Sequence, residues 1–235
     1  MESEKMKKYF KIASKGFFAI FAYLILNSIQ TLPFELFKVK MDIVPIYIKI
    51  LYSLIYEILI ACVLILIYNK QIVSNLKDLK KNHKKYFSEN IKYWLIGLMI
   101  MYISNFIIIY GFKNGMGDNE EAVRSLFSIS PIYIYISAVI IAPITEELIF
   151  RQSIKNIFQN KYLFIIMTGI LFGFAHIGFS VSSLSDLLYI IPYGALGSMF
   201  GIMLEKTNNI FVSMGFHLMH NGILVGIQFL LLIFG

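Results

Sequence analysis

Charged and hydrogen-bonding side chains recur within apolar stretches of this sequence. Glu146 and Glu147 are adjacent, His176 lies in the next apolar stretch, and His217 and Asn221 stand four residues apart in the last one. Ionisable groups are costly in hydrocarbon, so they occur in pairs, beside water-filled cavities or at functional sites. Hydrolysis of an amide needs a base that activates water, an acid for the leaving nitrogen and donors for the oxyanion. Side chains suited to all three tasks are present in this set.

The spacing of Glu146, Glu147 and Arg151 predicts different roles for the two carboxylates. Glu147 and Arg151 are four residues apart, so on a helix they share a face and can form an ion pair. Glu146 points about 100° away from its neighbour, and we interpret it as projecting into the helix bundle, free for proton transfer. The alternative is that both glutamates neutralise Arg151 at the membrane surface.

The histidines and the asparagine complete a predicted hydrolytic site. His217 and Asn221 lie on one helix face, and both can donate hydrogen bonds to one point in space. We therefore predict that Glu146 and His176 activate and orient a water molecule, while His217 and Asn221 stabilise the oxyanion.

Other chemistries remain open for the same residue types. Two histidines and a glutamate would also suit zinc with an open position for water, although the usual His-Glu-x-x-His helix is absent. Covalent catalysis is less favoured, because Ser153 and Cys62 have no neighbouring base in the sequence. We expect His220 and Glu57 to be packing residues.

Composition indicates where these residues must lie. Of the 235 residues, 58% are hydrophobic and only 15% are charged, whereas about 25% are charged in an average soluble domain. The net charge of +7 does not indicate nucleic-acid binding, which requires a basic face on a soluble fold. The composition predicts an all-α, polytopic transmembrane helix bundle.

About seven membrane spans are predicted, because crossing the hydrocarbon core takes about 20 apolar residues. They are residues 12–32, 43–68, 93–112, 129–150, 163–179, 184–204 and 210–234. Lysine and arginine in short loops favour the cytoplasmic side. An N-terminus inside the cell places sixteen of them there and four outside. We predict a cell-membrane protein with N-terminal helices and a basic cytoplasmic linker over 1–92 and a functional core over 93–235.

Three motifs resemble those of a known family. They are Glu146-Glu147 with Arg151, then Phe172 with His176, then His217 with Asn221, all within 129–234. The three motifs and their order resemble those of the CPBP family of intramembrane proteases. This family groups CAAX prenyl endopeptidases with bacteriocin-processing and bacteriocin-immunity (Abi) proteins. The resemblance implies that Glu146 and His176 activate water and that His217 and Asn221 form the oxyanion hole. It also implies that Glu147, Arg151 and Phe172 give structural support.

The resemblance implies an endopeptidase that cleaves a peptide or a membrane-anchored protein in the lipid bilayer. Family members have been described both as glutamate-dependent proteases and as metalloproteases, so the metal content stays open. Prenyl-protein members are often longer, and this shorter chain fits the bacterial branch better. The alternatives are a non-catalytic bacteriocin-immunity or binding protein and, less favoured, a proton-coupled transporter.

Overall fold

The described structure consists of helices. A computed structural model describes residues 2–112, 115, 117–177 and 184–234, and no strand occurs within those ranges. The helices are α1 (Glu2–Ser28), α2 (Leu32–Leu36), α3 (Ile46–Phe106), α4 (Asp118–Ile129), α5 (Pro131–Ile157), α6 (Lys161–Ile177), α7 (Ile190–Thr207) and α8 (Ile210–Phe234). Short 3₁₀ turns lie at Met41–Ile43 and Leu184–Tyr189. The prediction of an all-α polytopic bundle is confirmed.

The apolar stretches map onto fewer helices than the seven expected. Five helical segments of the described chain are long and apolar enough to cross a membrane, and α6 is a shorter apolar helix of 17 residues. The number is lower by two, because the expected spans 43–68 and 93–112 belong to the same segment and because the expected span 163–179 corresponds to the shorter helix α6. Residues 178 and 179, at the end of the fifth predicted span, lie outside the described residues.

Helix α3 continues through the polar segment that was expected to be a linker. Its 61 residues correspond to a length of about 90 Å, three times the thickness of a hydrocarbon core of about 30 Å. The polar middle of α3 must therefore lie outside the hydrocarbon. Its first apolar part binds α1, since the Tyr52 and Tyr56 hydroxyls donate to the carbonyls of Gln30 and Leu26. Its second part packs on α7 through Gly97.

The polar middle of α3 fixes the start of α8, the helix that carries His217. Asn209 is fully buried, and its amide nitrogen donates to the carbonyl of Asn75 and to the Asp78 carboxylate, both at 2.8 Å. Its amide oxygen accepts the backbone N–H of Phe211 at 3.1 Å, as an N-capping side chain does.

Two wide turns interrupt the regular geometry of α5. Residues Tyr135–Ile141 and Glu147–Ser153 are π-helical, and they flank a short α-helical piece that contains Pro143. Proline has no N–H to donate to the carbonyl four residues earlier, so a break in the regular pattern is expected there. Carbonyl oxygens in these turns accept hydrogen bonds from side chains. The Asn221 amide donates to the Ala138 carbonyl, and the Ser153 hydroxyl donates to the Leu148 carbonyl. Such π turns are frequent at functional sites.

Helices α6 and α7 approach closely because glycines line their contact. A Cβ atom on Gly169 would lie 2.9 Å from the carbonyl oxygen of Gly194, and one on Gly197 would lie 3.2 Å from the Cα of Gly169. Small residues at helix interfaces let backbones in membranes come together in this way. The contact sets the position of His176, which is near the end of α6.

We expect Gly173→Ala to destabilise the bundle by about 1–3 kcal/mol, the usual cost of overpacking. The added Cβ would lie 2.7 Å from the Ile190 carbonyl oxygen and 3.1 Å from its Cα, and backbone cannot move aside as a flexible side chain can. Thermal unfolding in detergent would measure the effect. Gly226→Ala is the matched control, since no described atom beyond its chain neighbours and its own helix backbone lies within 4 Å of the added Cβ. Equal unfolding midpoints for the two variants would contradict this packing.

Candidate active site

A fully buried ion pair lies at the centre of the site. The side chains of Glu147 and Arg151 have no exposed surface, and Nη1 of Arg151 lies 3.4 Å from Oε1 of Glu147. The guanidinium also faces the ring of Phe172, 4.1 Å from the ring centroid, and its Nη2 donates to the carbonyl of Gly197 at 3.5 Å. The geometry thus places Arg151 where it neutralises Glu147, in agreement with the pairing predicted from their spacing.

His217 lies between the two adjacent carboxylates. Its Nδ1 is 3.0 Å from Oε1 of Glu147, within hydrogen-bonding distance, and its Nε2 is 3.6 Å from Oε2 of Glu146. Since a carboxylate only accepts, Nδ1 carries the proton in the bond to Glu147. The imidazole can donate toward both carboxylates only as an imidazolium ion. The contact with Glu147 was not expected from the sequence, which gave that residue a partner only in Arg151.

Glu146 is the less enclosed of the two carboxylates. Its side chain is 21% exposed, and its buried Oε2 has no hydrogen-bond partner in the described part of the chain. The carboxylate is close enough to Arg151 and His176 to interact electrostatically with both. The two adjacent glutamates therefore have different surroundings, as the helical spacing predicted.

The orientation of His176 is fixed by its own helix. Its Nδ1 lies 2.8 Å from the carbonyl oxygen of Phe172, four residues earlier. A carbonyl oxygen can only accept, so Nδ1 donates and Nε2 of the neutral ring is left with its lone pair. Nε2 can therefore accept a hydrogen bond from water or take up a proton.

Aromatic rings close the site around these polar groups. Phe172 contacts both histidines, with centroid distances of 4.2 Å to His176 and 5.8 Å to His217. Phe200, on α7, lies 5.1 Å from the His217 ring. Motif spacing identified Phe172, whereas Phe200 and Tyr193, which stacks on His176, lie in a helix without a motif. No sequence signal distinguished these two rings from ordinary core residues.

Asn221 is bonded to the backbone of a neighbouring helix. Its amide nitrogen donates to the carbonyl oxygen of Ala138 at 2.8 Å, which ties α8 to the first π turn of α5. The described contacts therefore bring Glu146, Glu147, Arg151 and His217 together, with His176 adjacent. The role of Asn221 as an oxyanion donor stays a prediction.

Of the two residues expected to be packing residues, one pairs with a tyrosine and the other lies close enough to His217 to interact with it electrostatically. Glu57 accepts a hydrogen bond from the Tyr133 hydroxyl at 2.8 Å, and His220 is buried. Within the described ranges, no group of three or more His, Cys, Asp or Glu side chains is arranged to hold a metal ion.

Comparison with known proteins places this site in a family. Residues 128–223 match the family described as type II CAAX prenyl endopeptidase, Rce1-like. This region contains all three motifs and most of the helices that carry them. The match supports the CPBP and CAAX protease family, so the resemblance inferred from the motifs is confirmed. With its apolar helices, the chain is a multi-pass membrane protein.

Curated relatives from three bacteria are similar to parts of the chain. "Putative membrane peptidase YdiL" of Bacillus subtilis is 30% identical over 139 residues, which cover 57% of this chain and 53% of the relative. An "Uncharacterized protein" of Mycoplasma capricolum is 32% identical over 146 residues, with 55% and 42% covered. "UPF0177 protein YbdI" of Lactococcus lactis is 34% identical over 91 residues, with 35% and 50% covered.

The chain spans about half the length of these curated relatives. No solved structure matches it.

Proposed function

We propose that the protein is an intramembrane endopeptidase that hydrolyses a peptide bond with water activated by Glu146. The observation that carries this proposal is the placement of His217, whose two ring nitrogens face Glu147 at 3.0 Å and Glu146 at 3.6 Å. A base and a hydrogen-bond donor are thereby close together in a largely buried site, where electrostatic interactions are stronger than in water. The family membership of residues 128–223 supports the same reaction class.

In the proposed reaction, Glu146 takes a proton from water while Nε2 of His176 accepts a hydrogen bond from the same molecule. The hydroxide attacks the carbonyl carbon of the substrate, and the carbonyl oxygen becomes an oxyanion. His217, as an imidazolium, donates its Nε2–H to this oxyanion, while Glu147 holds its Nδ1–H. The protonated Glu146 then delivers its proton to the leaving nitrogen, and the C–N bond breaks.

The substrate is proposed to be a peptide or a membrane-anchored protein. Glu146 and His217 lie on helices that are long and apolar enough to cross a membrane, and His176 lies on a shorter apolar helix, so we expect the scissile bond to reach the site from the bilayer or its interface. We also propose that the N-terminus faces the cytoplasm, because that orientation places most lysines and arginines inside. A role in bacteriocin processing would use this cleavage, whereas a non-catalytic immunity role would not.

Comparative proteomics of membrane peptides would test the proposal. Cells that produce the wild-type protein, Glu146→Ala or Glu205→Ala would be compared for new peptide termini. Glu205 is a suitable control because it pairs with Lys155 at the surface, 3.1 Å away, outside the site. We expect the new termini with the wild type and Glu205→Ala and not with Glu146→Ala.

The same strains distinguish a protease from a non-catalytic immunity protein. If Glu146→Ala accumulates to the wild-type level and yields the same termini, the proposed mechanism is wrong. If neither the wild type nor Glu146→Ala yields new termini and both protect cells from a bacteriocin equally, a binding function would replace the proposed one.

A further inference from the structure

The imidazole of His176 is held by aromatic rings from two helices. Phe172, on the same helix, lies 4.2 Å away between centroids with an interplanar angle of 44°. Tyr193, on α7, lies 4.6 Å away and is nearly parallel, with an interplanar angle of 26°. The position of Nδ1 is restrained as well, since this atom donates a hydrogen bond to the Phe172 carbonyl oxygen. Tyr193 is the part of this arrangement that comes from another helix.

We propose that Tyr193 is a positioning residue for His176. The hydrogen bond to Phe172 restrains one atom of the imidazole and leaves rotation about that bond. Stacking on Tyr193 restrains the plane of the ring, so the two contacts together fix the direction of Nε2. For its catalytic consequence this inference rests on the proposed function, in which Nε2 orients the attacking water.

The position of Tyr193 depends on the close contact of α6 and α7. Gly173, three residues before His176, lies against the backbone of Ile190, three residues before Tyr193. A larger residue at 173 would move the two helices apart and separate the rings. The glycine contact thus brings the stacking partner into range, and the ring of Tyr193 supplies the restraint.

Nitrogen-15 NMR of the histidine side chains tests the positioning directly and needs no substrate. The chain has four histidines, and His176→Gln would assign the signal of interest. In the wild-type protein we expect a neutral His176 ring with its proton on Nδ1. Tyr193→Phe keeps the aromatic ring and should leave that signal unchanged, whereas Tyr193→Leu should broaden it, because the ring would then sample several orientations.

Control signals show whether a variant remains folded. The other three histidines should keep their wild-type shifts in Tyr193→Leu. If they do not, Tyr193→Met, whose unbranched side chain is longer and more flexible than that of leucine, replaces it in the comparison. An unchanged His176 signal in a folded variant without the ring would overturn the proposal.

Cleavage of the peptide identified by proteomics tests the catalytic consequence. We expect Tyr193→Leu to lower kcat by about 2- to 12-fold, the range set by the strength of an aromatic pair, with little change in KM. Tyr193→Phe should restore the wild-type rate. Equal kcat values for wild type and Tyr193→Leu, with Glu146→Gln inactive, would overturn the positioning role alone. Full activity of Glu146→Gln would instead overturn the proposed function, and the NMR result would still decide the orientation of the ring.

Discussion

Glu146→Gln should leave the protein folded and lower the rate of peptide cleavage by about 10²- to 10⁴-fold. This is the usual contribution of a general base placed within reach of its proton. Glutamine has nearly the same shape as glutamate, so contacts with neighbouring groups are retained while the ability to accept the proton is lost. The side chain is 21% exposed and is not part of the buried ion pair, so the substitution should not unfold the bundle.

Purified wild type, Glu146→Gln and Glu205→Gln would be compared at equal concentration on the same peptide. Glu205 is 32% exposed and lies at the surface beside Lys155, so its substitution should keep the wild-type rate. A loss of cleavage in both variants would indicate a general effect of removing a carboxylate. Wild-type cleavage by Glu146→Gln would remove this residue from the mechanism.

Arg151→Met should destabilise the protein by about 3–5 kcal/mol, the cost of leaving one member of a buried ion pair without its partner. Glu147 and Arg151 are both fully buried, and Glu147 would lose its guanidinium partner while it keeps the hydrogen bond from His217. The unfolding midpoint in detergent and the amount of protein in the membrane fraction would measure the effect.

The chain contains a matched control for this substitution. Arg124 and Glu120 have the same four-residue spacing, and their 2.7 Å contact is shorter than that of the buried pair, yet both side chains are substantially exposed. Exposed pairs contribute about 0–1 kcal/mol, so Arg124→Met should have little effect. Equal destabilisation by the two substitutions would show that burial is not what makes the Arg151 pair important.

Helical spacing was sufficient to predict the contacts between residues near in sequence. Glu147 and Arg151 form the expected pair, and Glu146 has separate surroundings. Apolar stretches of sufficient length likewise identified the helices of the bundle. Such predictions succeed because the period of a helix fixes which neighbours share a face.

Contacts between distant helices were harder to predict. The bond between His217 and Glu147 depends on how α8 packs on α5, and the π turns of α5 alter the regular spacing just at Glu147–Ser153. Asn221 bonds to Ala138 in the other π turn, a carbonyl that a regular helix would have satisfied internally. The regular helical period of 3.6 residues does not show where such π turns occur in a sequence.

The aromatic residues of α7 and the continuity of α3 show two further limits. Tyr193 and Phe200 reach the histidines because glycines bring α6 and α7 together, and composition does not show which rings will be neighbours. The polar middle of α3 was expected to be a linker, yet it remains helical and binds Asn209 through Asn75 and Asp78. Polar composition indicates exposure to water and does not distinguish a loop from an exposed helix.

Cleavage in water enriched in oxygen-18 is the most direct test of a site that hydrolyses peptide bonds with water activated by Glu146. The purified protein would be incubated with the identified peptide, and the products and the protein would be analysed by mass spectrometry. We predict one heavy oxygen atom in the new carboxyl terminus, no covalent adduct on the protein, and no product from Glu146→Gln. An intact peptide with the wild type, or the same labelled product from Glu146→Gln, would contradict the account.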